Sequence, residues 1–264
     1  MNKELEEAWR QTCTIVLGGP LGPMGHYEGW LLSSTRAFVM QKSAISQRVF
    51  PLGAFKRFLL TREKVVDFDE AMKEGEKKLA PDEARALTLE NAGKKLAALT
   101  HYSPEVMVGH NVELEQCTMV ASSSHCYKTV YLAENKFCAC STWPRESEYA
   151  FGCDIAFSSQ FCIKCYNSSC LKRCFEVSNG VNCSDCYFSH NIENCAECMF
   201  CFNTKAKRYA IGNVEYPKEE YLRVKKLLLA EISARLEKDK TLALSIYNLG
   251  RLSSAKAKET HEKL

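Results

Sequence analysis

The chain has no run of about 18 consecutive apolar residues, no marked excess of one charge and no Gly-Lys-Ser/Thr ending on its glycine-rich loop. Each absence removes a class of function. Without the apolar run there is no membrane-spanning helix to expect. With 35 basic against 32 acidic side chains, the net charge of +3 is too small to argue for nucleic acid by itself. The opening MNKELEEAWRQ is polar and carries both signs, unlike a signal peptide, so a cytoplasmic protein is expected. The loop GGPLGPMG (18–25) follows an apolar stretch, but Pro20 and Pro23 remove two N–H donors that a phosphate cradle would need. It reads as a plain turn.

What the chain has is cysteine. Fourteen of its fifteen lie between Cys117 and Cys201, with only Cys13 outside. Cytoplasmic thiols are kept reduced, so such a cluster points to metal binding or packing before disulfides. The cysteines keep a register. CDIAFSSQFC (153–162) and CFEVSNGVNC (174–183) start 21 residues apart, and Cys195 starts a third copy after another 21. CTMVASSSHC (117–126) has the same span but lies 36 residues before Cys153, which implies a shortened coil. A fixed period near 20 predicts a solenoid. Three short sides of about seven residues suit a short right-handed parallel β-solenoid, with cysteine as a small buried hydrophobe on its inner ladders. Asn179, Gly180, Asn182, Asn191 and Asn194 are expected at corners, where left-handed backbone is needed.

The competing reading is metal. Any two of the CxxC pairs Cys162/Cys165, Cys183/Cys186 and Cys195/Cys198 could form a tetrahedral zinc site, and Cys183, Cys186, Cys195 and Cys198 make the strongest quartet. Only eight residues separate its pairs, short for a zinc ribbon, and metal ligation gives no reason for a constant 21-residue register. The packing reading is preferred, with no cofactor and zinc as the alternative. Tyr127, Tyr166 and Tyr187 each follow a cysteine and could form an interaction face on which a partner or bases stack. No catalytic residue is nominated. His125 beside Cys126, and His190 behind Cys186, are the nearest approach to nucleophile–base pairs.

The segment NCAECMFCFNTKAKRYAIGNVEYPKEEY (194–221) resembles a family of uncharacterised cysteine-rich β-solenoid repeat proteins of small-genome bacteria and archaea. The match runs through Cys195, Cys198, Cys201, Asn203, Lys207, Tyr209, Ile211, Asn213, Tyr216 and the KEEY at 218–221. It covers about residues 111–221 and is strongest over 185–221. The resemblance implies a stacked solenoid closed by a C-terminal helix, and it implies no activity. Family members begin with a zinc-knuckle-like segment that this sequence lacks, so a role tied to that knuckle does not carry over.

The expected organisation is therefore mainly β with helical ends: a mixed α/β N-terminal capping region (1–66), a helical linker (67–100), the cysteine-rich solenoid (101–216), and C-terminal helices with a tail (217–264). Within it, CTIVL (13–17) reads as a strand, 67–99 as two helices broken at Ala80–Pro81, and TLALSIYNLGRL (241–252) as a second C-terminal helix. The end of the chain is basic, with 11 basic and 7 acidic side chains over 216–264. These features point to a non-enzymatic structural or interaction module, with an unknown macromolecular partner, protein rather than RNA, and possible homo-oligomers through the C-terminal helices. RNA binding through the basic end and the tyrosines is the other alternative.

Overall fold

The computed structural model describes residues 2–36, 38–53, 61–104 and 106–251. A parallel β-solenoid of about nine turns forms the body of the protein, as the cysteine register predicts. Its pitch differs from the expected one. Val112 pairs with Ser124, Ser124 with Lys136, Lys136 with Glu148, and the step of 12 residues continues without change to Arg208. The opposite side keeps the same step from Thr118 through Val130 to Phe202. The period is therefore 12 and not 21, and the interval of 36 between Cys117 and Cys153 is three whole coils.

The cause lies in a finer unit. From Glu113 to Gly212 every third residue has positive φ, between 45° and 67°. Each such residue turns the chain a corner, so one coil is four three-residue sides. The residue following each corner points inward. Twelve of the fourteen clustered cysteines fall on this inward set; Cys140 and Cys170 do not. Twenty-one is a multiple of three, so the apparent long repeat preserved the inward phase while moving each cysteine to the neighbouring column. Asn179, Asn182, Asn191 and Asn194 are left-handed corners as expected. Gly180 is not; it faces inward, where an added Cβ would lie 2.7 Å from Val177 Cγ1.

A left-handed non-glycine residue costs about 1–2 kcal/mol, and among these corners only Gly152 and Gly212 are glycine. The offset comes from stacking. Backbone amides bond from coil to coil, as in Lys164 N to Phe151 O at 2.9 Å and Phe200 N to Tyr187 O at 3.0 Å. Inward side chains satisfy what remains. Ser141 Oγ lies 2.9 Å from Ala139 O and 3.3 Å from Ala150 O, and it accepts from Cys153 N at 3.1 Å. Cys165 occupies an equivalent place, with Sγ 3.7 Å from Ile163 O and 3.5 Å from Cys174 O. Its own N–H points at Cys153 Sγ. A buried N–H or C=O without a partner costs about 1–3 kcal/mol, which selects side chains that are small, buriable and able to donate. Serine and cysteine meet that requirement.

One flank of the solenoid is covered. Ala139, Phe151, Ile163, Phe175, Tyr187 and Met199 form an outward column at the 12-residue step, and all are buried. Two helices lie on it. The N-terminal helix Lys3–Leu17 begins where Asn2 accepts from Leu5 N and ends at Gly18, φ 82°. Leu5, Ala8, Trp9, Thr12, Cys13, Val16 and Leu17 are its buried stripe, so the expected strand at 13–17 is helix: its β-branched residues fall at helical spacing against the flank. Trp9 meets Phe151 edge-on at 5.2 Å. The C-terminal helix Lys218–Asp239 buries Tyr221, Leu229, Ile232 and Leu236 beside it. The N-terminal helix thus packs along the side of the solenoid.

Between these parts, Phe38–Lys42 pairs antiparallel with Val49–Gly53, and three short helices span Phe68–Glu74, Pro81–Arg85 and Leu89–Lys95. The break at Ala80–Pro81 is as expected; the further break comes from the capping box of Thr88 and Asn91. Residues 54–60 of the N-terminal region, and the tail from 252, lie outside the described residues. The expected helix over 241–252 is a series of turns through Arg251, because Asn248 bonds back to Ser245 N and Ala243 O. At the C-terminal end of the stack, Val214–Glu215 folds back antiparallel on Arg208–Ile211, and the Asn213 amide bonds both backbone groups of Phe202.

Candidate functional site

The four candidate zinc ligands lie on two neighbouring inner columns: Cys183 above Cys195 in register, and Cys186 paired with Cys198 across Ser184–Glu193 and Ala196–Met199. Each thiol is aimed at backbone carbonyls. Cys183 Sγ is 3.2 Å from Val181 O, Cys186 Sγ 3.3 Å from Ser184 O, Cys195 Sγ 3.4 Å from Glu193 O, and Cys198 Sγ 3.5 Å from Ala196 O. The thiols also share hydrogens. Hydrogen bonds with Cys186 pull Cys183 and Cys198 down, while contacts with Cys174, Cys183 and Cys198 push Cys186 up; burial pushes Cys195 up to about 11. A four-thiolate site requires all four deprotonated and converging on one point. Among the described residues, no group of three or more His, Cys, Asp or Glu side chains is arranged to hold a metal ion. The quartet fits hydrogen-bonded wall better than ligand set.

The three tyrosines do not form a face. Tyr127 and Tyr187 belong to the covered flank column, whereas Tyr166 stands on another side, in register with Asp154 and Ser178. Tyr166 and Tyr187 are only 3% and 1% exposed. Tyr187 donates to Val16 O, Tyr127 donates to Glu28, and Tyr166 packs on Tyr247 at 5.2 Å. This corrects the interaction-face expectation. A tyrosine after an inward cysteine is simply the next outward residue: the flank helices pack on Tyr127 and Tyr187, and the turns around Tyr247 cover Tyr166.

A different aromatic ladder exists, which spacing by cysteine could not reveal. His125, Phe137, Tyr149 and Phe161 stand at the 12-residue step with successive ring centroids 5.0, 5.0 and 4.5 Å apart. Their faces are turned on one another, so only edges remain for a ligand. His125 turns outward to Glu4 at 3.1 Å while Cys126 points inward, so the two cannot act as a nucleophile–base pair. His190 likewise faces Phe202 on the outside, away from the inward Cys186.

Two buried charges, Lys164 and Glu176, lie under residues 30–36 and 245–247. Lys164 Nζ donates to Trp30 O at 2.9 Å and Ser33 Oγ at 3.0 Å. Burial lowers its pKa. Glu176, completely buried, accepts from Ile246 N through Oε2 at 2.8 Å, and burial raises its pKa to about 7. Glu176 Oε1 and the Tyr166 hydroxyl meet no hydrogen-bond partner. Lys164 is fully used in closing the short helix Glu28–Leu32, and Glu176 in pinning the C-terminal segment. The cluster holds two segments against the solenoid.

The cavities lie on the outside. One, of about 420 Å3, runs between the end of the N-terminal helix and the C-terminal helix. A second, of about 310 Å3, lies beside Phe137 and Tyr149 under the N-terminal helix. The glycine loop makes no anion cradle: Gly22 N and Met24 N donate to Glu237 and Glu6 of the chain itself, both at 2.6 Å. No helix among the described residues is long and apolar enough to cross a membrane. No protein-family model matches the chain, and no curated protein matches it.

Proposed function

We propose that the protein is a non-enzymatic structural or macromolecular-interaction module, whose solenoid is a rigid frame for the two helices on its flank. The observation that carries this reading is where the reactive side chains are spent. The inward cysteines and serines serve neighbouring carbonyls, and the buried Lys164 and Glu176 pin segments of the same chain. Concave surfaces of the described residues lie instead along the two flank helices, one of them between the helices, an ordinary place for a protein partner. A protein partner is favoured over RNA, because Tyr166 and Tyr187 are buried, the Tyr127 hydroxyl is taken by Glu28, and the half-buried rings of Phe137, Tyr149 and Phe161 are stacked on one another.

The test is crosslinking of the tagged full chain in its native cells, followed by mass spectrometry. Recurrent crosslinks from lysines of the C-terminal helix to another macromolecule are expected. A chain that crosslinks only to itself internally would end this reading. Metal analysis of protein purified without chelators bears on the zinc alternative: about one zinc per chain would favour it, together with loss of that zinc in Cys186→Ser.

A further inference from the structure

We infer that the groove between the two flank helices is the docking site for an amphipathic helix of an acidic protein partner; this inference rests on the interaction-module reading and gives it a site. The groove is lined by Leu17, Gly19, Leu222, Lys226, Leu229 and Ala230. Positions 222, 226, 229, 230 and 233 follow one another at helical spacing, so the C-terminal helix supplies a continuous wall about three turns long. At about 420 Å3 the space holds two or three leucine-sized side chains. That takes two or three of the four anchors an amphipathic helix presents at i, i+3, i+4 and i+7.

Charge selects the partner. No acidic side chain lines the groove. Lys225 is held by Glu197 at 2.7 Å and lies over the Tyr187 ring, but Lys226 is exposed and has no ion-pair partner among the described residues. Leu222, 39% exposed, stands beside it with the exposed Arg223. An apolar floor with an unpaired cationic rim fits an apolar stripe flanked by carboxylates. A second copy fits less well, because two such helices pairing antiparallel across 222–230 would bring Lys226 against Lys226. A lipid surface also fits less well. Leu17 and Leu229 lie buried at the groove floor, and Glu219, Glu220 and Glu231 share the exposed surface of the same helix, which a flat anionic surface would meet together with Lys226.

Glycine makes the site testable. A Cβ built at Gly19 meets nothing within 4 Å, and its backbone is not left-handed, so Gly19→Trp fills the groove without a clash at its root. The probe is a labelled synthetic helix with leucine at i, i+3, i+4 and i+7 and glutamate flanking them, compared with the same peptide carrying lysine for glutamate. Fluorescence anisotropy with the full chain reads the binding. The acidic peptide is expected to bind saturably, about tenfold or more tighter than the basic one, and more weakly as salt rises. Gly19→Trp abolishes binding, Gly19→Ala preserves it, and Lys226→Glu weakens it by about three- to fivefold. Unchanged circular dichroism of Gly19→Trp confirms that the fold is kept; if it is not, Lys226→Glu and the peptide pair decide. No saturable binding, equal affinity for the two peptides, or binding retained by a folded Gly19→Trp overturns the assignment. So does a dimer in sedimentation that Gly19→Trp dissolves, or binding to phosphatidylserine vesicles that it abolishes. Cellular crosslinks that survive Gly19→Trp would refute this site and leave the module reading standing; absence of crosslinks in the unmodified chain would refute the module reading itself.

Discussion

The first coils and the last coils of the solenoid share one backbone and fill it differently. Around 123–147 the nine inward positions hold five polar side chains, Ser123, Thr129, Asn135, Ser141 and Ser147, beside Cys126, Leu132, Cys138 and Pro144. Around 174–201 the ten inward positions hold six cysteines, Cys174, Cys183, Cys186, Cys195, Cys198 and Cys201, with Val177, Gly180 and Ile192, and Ser189 is the one polar side chain among them. The outside changes as well. Stacked rings of Phe137, Tyr149 and Phe161 give way to the Arg173–Asp185 ion pair and to amide pairs such as Asn167–Asn179 at 2.7 Å. The inner positions do not demand sulfur. They demand a small donor that reaches two carbonyls, and a thiol adds apolar burial to what a hydroxyl does by stronger hydrogen bonding.

The largest expected effect tests what the two halves have in common. Trp9→Ala removes a fully buried ring from the flank and should cost about 3–5 kcal/mol in denaturant unfolding. Hydrogen exchange should show both halves losing protection together; opening confined to the coils around Phe151 would mean that they are independent units. Next comes Glu176. Its folded-state pKa, about 7, lies above the ordinary 4.5, so folding favours the protonated carboxyl. The stability this group contributes is complete below about pH 4.5 and is lost as pH rises through about 7. Glu176→Gln should flatten that decline, by a few kcal/mol across the window, and an unchanged pH profile would show that the carboxyl is not buried in solution.

The sharpest test of the comparison itself is smaller. Ser141→Ala leaves Cys153 N–H buried without an acceptor and should cost about 1–3 kcal/mol, whereas Cys165→Ala loses a weak donor and some packing, about 1 kcal/mol. Equal costs would break the distinction between the halves. The smallest effect is expected outside, where Asn179→Ala removes an exposed amide bond and a residue suited to left-handed backbone, about 0.5–1 kcal/mol by thermal melting.

The sequence made the parallel solenoid legible because cysteine, rare on most surfaces, marked the inward set. It obscured the pitch, because three of the four inner columns accept cysteine and the eye joins recurrences of 21 across columns. The spacing by threes was present in 117, 126, 138, 153, 162 and 165 and would have revealed it. The helix through Cys13–Leu17 was hidden by strand-favouring residues whose burial against the flank decided the outcome. The groove had no sequence signal at all: Leu17 and Leu222 lie far apart in the chain, and only the shared flank brings them together.

The corner at every third residue also constrains how such a chain can change length. Loss of one residue would turn the inner lining out to water beyond that point. Loss of three would keep the lining but rotate every later column by a quarter turn, carrying the flank surface away from its helices. Gain or loss of twelve leaves each side where it was. A molecule built this way can grow or shrink only in whole turns, so its length is counted in dozens.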